Sequence, residues 1–274
     1  MKFTVLSENR KSGMCENEEG LSIIFEINDR KILFDTGSSD LFVKNAELLG
    51  INLEEVDTYV LSHGHADHSN GLKHVQGHKN LILHPDSFIG RYSLRQQKFV
   101  GLNQKEDEMS SKFNIIKTRE PYVIFENVYF LGQIPRIIDF EGEGNLSTVL
   151  NLETGEKDLT LDDSGIVIKT DEGIIVVSGC AHSGICNTIE YAKQITKDER
   201  VLAVIGGFHL RKLNDTTNKT AKYFLDNNVQ TLYMGHCNTD EVIQEFEKQL
   251  GDKCAIETLY SGASFEIKDR KLKK

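Results

Sequence analysis

Hydrophobic and polar positions divide the chain into short apolar runs, some alternating and some continuous, separated by amphipathic stretches of helical period. Lys2 to Leu6, Leu21 to Asn28 and Lys31 to Phe34 read as strands, the last two joined at Asn28-Asp29 as a hairpin. Leu41 to Leu49 carries Leu41, Phe42, Ala46 and Leu49 on one face of a helix that Ser39-Asp40 can cap and Gly50 stops. Asp57 to Ser62 is a buried strand, and a helical region begins near Asn70. Asn80 to His84 is the next strand, and strand and crossover helix alternate here, so it ends at the same sheet edge. Phe113 to Ile116, Tyr122 to Phe125 and Val128 to Leu131 read as a meander. Gly165 to Lys169 and Gly173 to Val177 form a second hairpin. Helices over 183–194, 216–227 and 241–250 then alternate with strands over 200–205 and 229–234, and strands over 255–260 and 264–267 close the sheet. The two halves repeat one layout without repeating sequence. That predicts an α/β (α+β) chain folded as a pseudo-twofold β-sandwich flanked by helices.

Two polar stretches interrupt the pattern. Residues 90–112 read as a loop or lid with a short helix, whose Arg91, Tyr92 and Arg95 either grip a phosphate or carboxylate or are simply solvated. Residues 140–163 read as an acidic excursion within one domain spanning 1–274, and Asp162-Asp163 at its end as a solvated turn or as a pair facing the site. The charged tail over 268–274 reads as a frayed end.

Composition narrows the function classes. At 274 residues with 39% apolar content there is material for a large core. The net charge of −10 argues against a generic nucleic-acid binder, while a metal centre in an acidic protein still accepts a small anionic substrate. No run reaches membrane-spanning length and the first residues lack a signal-peptide core, so neither a membrane nor export is expected. Five widely spaced cysteines without a CxxC pair suit a reducing cytoplasm. Chain size is compatible with a monomer or homodimer.

The chemistry concentrates in His63-Gly64-His65-Ala66-Asp67-His68. Alternation along an extended segment puts His63 and His65 on one side, and the following turn brings Asp67 and His68 round to face them. Imidazole and carboxylate are ligands for zinc and similar divalent ions, and packing alone does not explain three imidazoles so close together. His182, His209 and His236 each follow a buried strand and glycines, where a site at a sheet edge needs its ligands. His84 ends a strand and reads either as a substrate contact or as a packed residue. His74 and His78 lie on a polar stretch and read as surface residues.

These residues also carry a resemblance. The His63-to-His68 motif, with Asp35-Thr36-Gly37 ahead of it, resembles the metallo-β-lactamase superfamily. Ser178-Gly179-Cys180-Ala181-His182, Gly206-Gly207-Phe208-His209 and Gly235-His236-Cys237 are similar to the branch that includes dihydropterin ribofuranosylaminobenzene phosphate synthase. The resemblance implies a four-layer αβ/βα sandwich and two divalent ions, zinc first, with manganese or iron also suited. It implies ligands from His63, His65, Asp67, His68, His182 and His236. Cys180 stands where other members have a bridging Asp, and is either a thiolate ligand or a small buried neighbour. Cys237 reads as packing. Asp35 either orients a ligating His or forms a plain turn.

The implied activity is hydrolysis by a hydroxide generated on the ions, directed at a phosphoester or a phosphorylated pterin-like or nucleotide-like compound. Asp67 would orient the nucleophile, and His209 or His84 would serve the leaving oxygen. Two other classes compete. A di-iron redox enzyme is disfavoured because His65 occupies the position of a Glu and no flavin module follows. A non-catalytic metal-binding or sensing protein is separated from a hydrolase by turnover of generic diesters.

Overall fold

The computed structural model describes residues 1–141 and 148–267. The tail over 268–274, and part of the acidic excursion, lie outside the described residues. The first half runs β1 (Lys2–Ser7), β2 (Ser22–Ile27), β3 (Arg30–Phe34), α1 (Leu41–Leu48), β4 (Thr58–Val60), α2 (Ala66–Ser69), β5 (Lys79–Leu83), β6 (Arg91–Ser93), β7 (Lys98–Phe99), α3 (Glu106–Met109) and β8 (Phe113–Lys117). Then follow β9 (Tyr122–Phe125), β10 (Val128–Phe130), β11 (Val149–Asn151), β12 (Gly165–Lys169), β13 (Ile174–Ser178), α4 (Ile185–Thr196), β14 (Val201–Gly206), α5 (Asp215–Asp226), β15 (Thr231–Met234), α6 (Asp240–Leu250), β16 (Ala255–Thr258) and β17 (Ser264–Glu266).

Two seven-stranded sheets form, ordered β17-β1-β2-β3-β4-β5-β8 and β16-β15-β14-β13-β12-β10-β9. Each is antiparallel at one end and parallel at the other. In the first, β3, β4, β5 and β8 run parallel; in the second, β13, β14, β15 and β16 do. The repeated layout expected from the sequence is therefore present in the topology.

The long apolar runs follow from burial on both faces of each sheet. Along β2, Ile23 and Phe25 point into the core between the sheets while Ile24 points the other way, onto Phe42 and Ala46 of α1. Along β13, Ile175 and Val177 join the central core, and Ile174 and Val176 pack under Ile189 of α4, Phe224 of α5 and Phe246 of α6. Helix, sheet, sheet and helix are stacked as four layers.

Three expectations are corrected. The meander does not form: β8 pairs in parallel with β5 at the edge of the first sheet, whereas β9 and β10 are a hairpin in the second. Ile115 packs among the residues under the first sheet, so burial rather than proximity in sequence assigns β8. The 90–112 stretch is not simply a loop, because β6, β7 and β11 form a small sheet of their own, ordered β11-β6-β7. The pairing of β11 with β6 also ties the acidic excursion down. Nor is its end a solvated turn: Asp162 and Asp163 are both 0% exposed.

Candidate metal centre

The parallel strands of both sheets deliver their C-terminal ends to one seam. Past β4 come Ser62, His63 and His65, and α2 begins directly afterwards, with Asp67 and His68 in its first turn. Past β13, β14 and β15 come Cys180 with His182, then His209, then His236. The chain turns sharply at each exit. Asp35, Ala181, His209 and His236 all adopt left-handed backbone conformations, with φ between 52° and 56°. Such positions are sparsely populated by residues other than glycine and cluster where surrounding structure fixes a functional geometry.

The exits converge on two adjoining groups of donors. His63, His65 and His182 have ligand-type atoms within 4.8 Å of one another, and so do Asp67, His68 and His236. Cys180 stands between them, forming such groups with His63 and His68, with His182 and His209, and with His236 and Cys237. Its Sγ lies 3.3 Å from His68 Nε2.

Hydrogen bonds on the outer side of the rings decide what the inner nitrogens present. The Asp35 carboxylate accepts from Ser62 N and Ser62 Oγ, each at 2.7 Å, and from His68 Nδ1 at 2.7 Å. With its single proton given to Asp35, Ser62 Oγ accepts from His63 Nδ1 at 2.9 Å. His236 Nδ1 donates to Asn9 Oδ1 at 3.0 Å, an oxygen that also accepts from Gly20 N. Thus Nε2 of His63, His68 and His236 face inward. His63 Nε2 lies 3.0 Å from His65 Nδ1, and His68 Nε2 lies 3.0 Å from His236 Nε2.

Facing lone pairs at that separation need a proton or a cation between them. The buried Nε2 of His182 and of His65 have no hydrogen-bond partner among the described residues. This inward-facing set of nitrogens, one carboxylate and a thiol fits divalent ions such as zinc. The electrostatics agree. Burial disfavours charge on His68, but Asp67 and Asp35 outweigh it and raise its pKa to about 9, so this pocket favours a positive charge. Burial likewise works to raise the Asp67 carboxyl, but His68, His236 and His65 hold it at about 2. His63 and His182 are pushed well below the usual imidazole range by burial and by neighbouring imidazoles.

Of the remaining sequence candidates, His209 joins the cluster, its ring 4.6 Å from that of His182. His84 does not. Its Nδ1 accepts from Asp86 N at 3.1 Å, capping a short turn over Pro85–Phe88, and its Nε2 faces Gln133 Oε1 at 3.4 Å. His84 sits at a strand end as the sequence predicts, but local capping takes the imidazole. Arg91 is not solvated either. It is fully buried, with Nε 2.6 Å from Asp158 Oδ2 and Nη2 2.6 Å from Asp162 Oδ1.

Several further residues shape the site. Asp162 Oδ2 accepts from Gly64 N at 2.7 Å and so holds the loop between His63 and His65. Asp163 Oδ2 accepts from Ser183 N at 2.8 Å, beside His182. Glu8, buried at the end of β1, accepts from the backbone N–H of His236 and of Arg10. Gly179 is required by close approach, since a Cβ there would lie 2.1 Å from Ser62 Oγ and 3.0 Å from Asp35 Oδ2.

A cleft opens over the cluster. One lobe, of about 380 Å³, includes Phe140, His182, His209, Leu210 and Arg211 in its walls. A second, of about 360 Å³, includes His65, Asp67, Phe99, Cys180 and Arg211. No helix among the described residues is long and apolar enough to cross a membrane.

Comparison with known proteins agrees with this architecture. The family model described as the metallo-beta-lactamase superfamily matches residues 17–193. A Methanocaldococcus jannaschii protein designated MJ0448 is 32% identical over 228 residues, covering 80% of this chain and 84% of that protein. From the same organism, 7,8-dihydropterin-6-methyl-4-(beta-D-ribofuranosyl)-aminobenzene-5'-phosphate synthase is 30% identical over 264 residues, covering 90% and 89%. The crystal structure of Tm1679, described as a metal-dependent hydrolase of the beta-lactamase superfamily, superposes with a TM-score of 0.84 at 30% identity, over 98% of this chain and 100% of that one. With the family model spanning more than half of its length, the chain belongs to the metallo-beta-lactamase superfamily.

Proposed function

We propose that the protein is a metal-dependent hydrolase of phosphoesters whose substrate is a small phosphorylated pterin-like or nucleotide-like molecule. The observation that carries this reading is the pair of facing nitrogens, His68 Nε2 and His236 Nε2, with the outer side of each ring already committed to Asp35 or Asn9. In this reading His63, His65 and His182 hold one ion, and Asp67, His68 and His236 hold the second, with Cys180 between them. The thiol and imidazole donors favour zinc, and manganese or iron also suit the nitrogen and oxygen ligands. Divalent ions held by these residues would supply Lewis acidity and an acidified water at neutral pH.

The protein's own groups supply positioning and proton handling. Asp67 Oδ2 lies 3.7 Å from His68 Nε2 and 3.6 Å from His236 Nε2 and is partly open to the cleft. It accepts a hydrogen bond from the attacking water and sets its direction. His209 faces both lobes, and its Nδ1 has no partner among the described residues. It donates a proton to the departing oxygen. The five cysteines are buried free thiols, which supports a reducing compartment such as the cytoplasm.

Hydrolysis of bis(p-nitrophenyl) phosphate by the zinc- or manganese-loaded protein tests the reading. Turnover that vanishes with chelation and falls about 100-fold or more in His209→Ala supports it. A fully loaded protein with no turnover overturns it. A second reading is group transfer, favoured by the 30% identity to a synthase over 90% of the chain. Analysis of products with and without an added amine or alcohol acceptor separates the two.

A further inference from the structure

The two lobes of the cleft share His182 and His209, and two arginines from separate segments of the chain, Arg95 and Arg211, belong to the walls of both. Arg95 lies between β6 and β7, and Arg211 two residues past His209. In a chain of net charge −10, neither side chain has an ion pair or hydrogen bond with any described residue. Two of the carboxylates in these walls are engaged elsewhere. Asp158 is paired with Arg91, and Glu141 accepts from the backbone N–H of Cys186 and Asn187.

Away from this junction each lobe has an aromatic wall, Phe140 in one and Phe99 in the other. Each lobe has room for a ring-bearing group, and aromatic walls with a few convergent polar groups are what small-molecule sites offer. Arginine is suited to a phosphoryl group because its planar fork makes two charge-assisted hydrogen bonds at once.

We propose that Arg95 and Arg211 form a clamp for one anionic phosphoryl group, and that the substrate has two parts, with a ring-bearing group in each lobe. The clamp deepens the hydrolase reading above, since it places the phosphoryl group beside His182 and His209. It does not depend on bound metal, because the arginines belong to the protein alone. Both are specificity-determining residues, acting on binding.

The test is calorimetric titration of diphenyl phosphate and of phenyl phosphate into wild type, Arg95→Ala, Arg211→Ala and Lys248→Ala, in metal-loaded and in chelator-stripped protein. Diphenyl phosphate carries the lower charge but two rings. The clamp predicts that it binds about tenfold tighter than phenyl phosphate, and that each arginine variant weakens it about tenfold in both metal states. Lys248→Ala, on the outside of α6, is expected to bind as wild type does. Equal affinity for the two ligands overturns the two-part substrate, and arginine variants that bind as wild type does overturn the clamp. Failure of the hydrolase reading shows separately, as absent turnover with the binding pattern intact.

Discussion

His68 and His236, 168 residues apart in sequence and carried by different sheets, face each other through their Nε2 atoms at 3.0 Å. Neither can turn away. His68 is held from behind by Asp35, and His236 by Asn9 through its ring and by Glu8 through its backbone N–H. The seam between the two halves is thus built around a position that attracts positive charge, and the predictions below follow from it.

Asp35→Asn keeps the size of the side chain but replaces an acceptor-only group with one that also donates. One oxygen of Asp35 serves both Ser62 Oγ and His68 Nδ1, so the inward lone pairs of His63 and His68 both depend on it. Metal affinity, measured by competition with a chromophoric chelator, is expected to fall about 10- to 100-fold, the usual effect of removing a partner behind a ligating imidazole. Unchanged affinity would show that Asp35 merely closes a turn.

Arg91→Ala strips the partner from two buried carboxylates, Asp158 and Asp162. Breaking a buried pair in this way costs about 3–5 kcal/mol, which denaturant unfolding reads directly. Asp162 also holds Gly64 N, so the variant loosens the loop between His63 and His65 as well. A loss below about 1 kcal/mol, the level of a surface ion pair, would show that the network does not anchor the loop.

Glu141 lends itself to a pH experiment. Burial raises its carboxyl above the ordinary value of 4.5, against the lowering effect of the Cys186 and Asn187 N–H groups at the start of α4. A carboxyl whose folded pKa lies above its unfolded one holds its proton more firmly when folded. Its contribution to stability is therefore largest at low pH and declines as pH rises from about 4.5 through the folded-state value. Glu141→Gln removes this titration. The stability difference between wild type and Glu141→Gln should shift against wild type between pH 4.5 and neutrality. A difference that does not vary with pH would contradict the account.

The donor-rich segments that cluster at the seam were legible because their chemistry is local. His63, His65, Asp67 and His68 lie within six residues, and His182, His209 and His236 each follow an apolar run that ends in glycine. The four-layer fold was legible for a related reason, since runs such as Ile174 to Val177 are buried on both faces and cannot be mistaken for half-exposed strands. What escaped was non-local. Asp162 looks like a turn residue until Arg91, 71 positions earlier, is folded against it. Glu8 meets His236 only when β1 and β15 are brought together, 228 positions apart. His84 was placed at the right strand end, but no rule of spacing shows that the backbone two residues on takes its nitrogen.

The central claim is that the facing imidazoles and Cys180 hold two divalent ions. The direct measurement is metal per chain by elemental mass spectrometry, on wild type and on Cys180→Ala, after loading with zinc and removal of excess. Two equivalents in wild type, falling to about one when Cys180 is removed, is the predicted result. No retained metal in wild type would contradict it, and would leave the gap between His68 and His236 bridged by a proton alone.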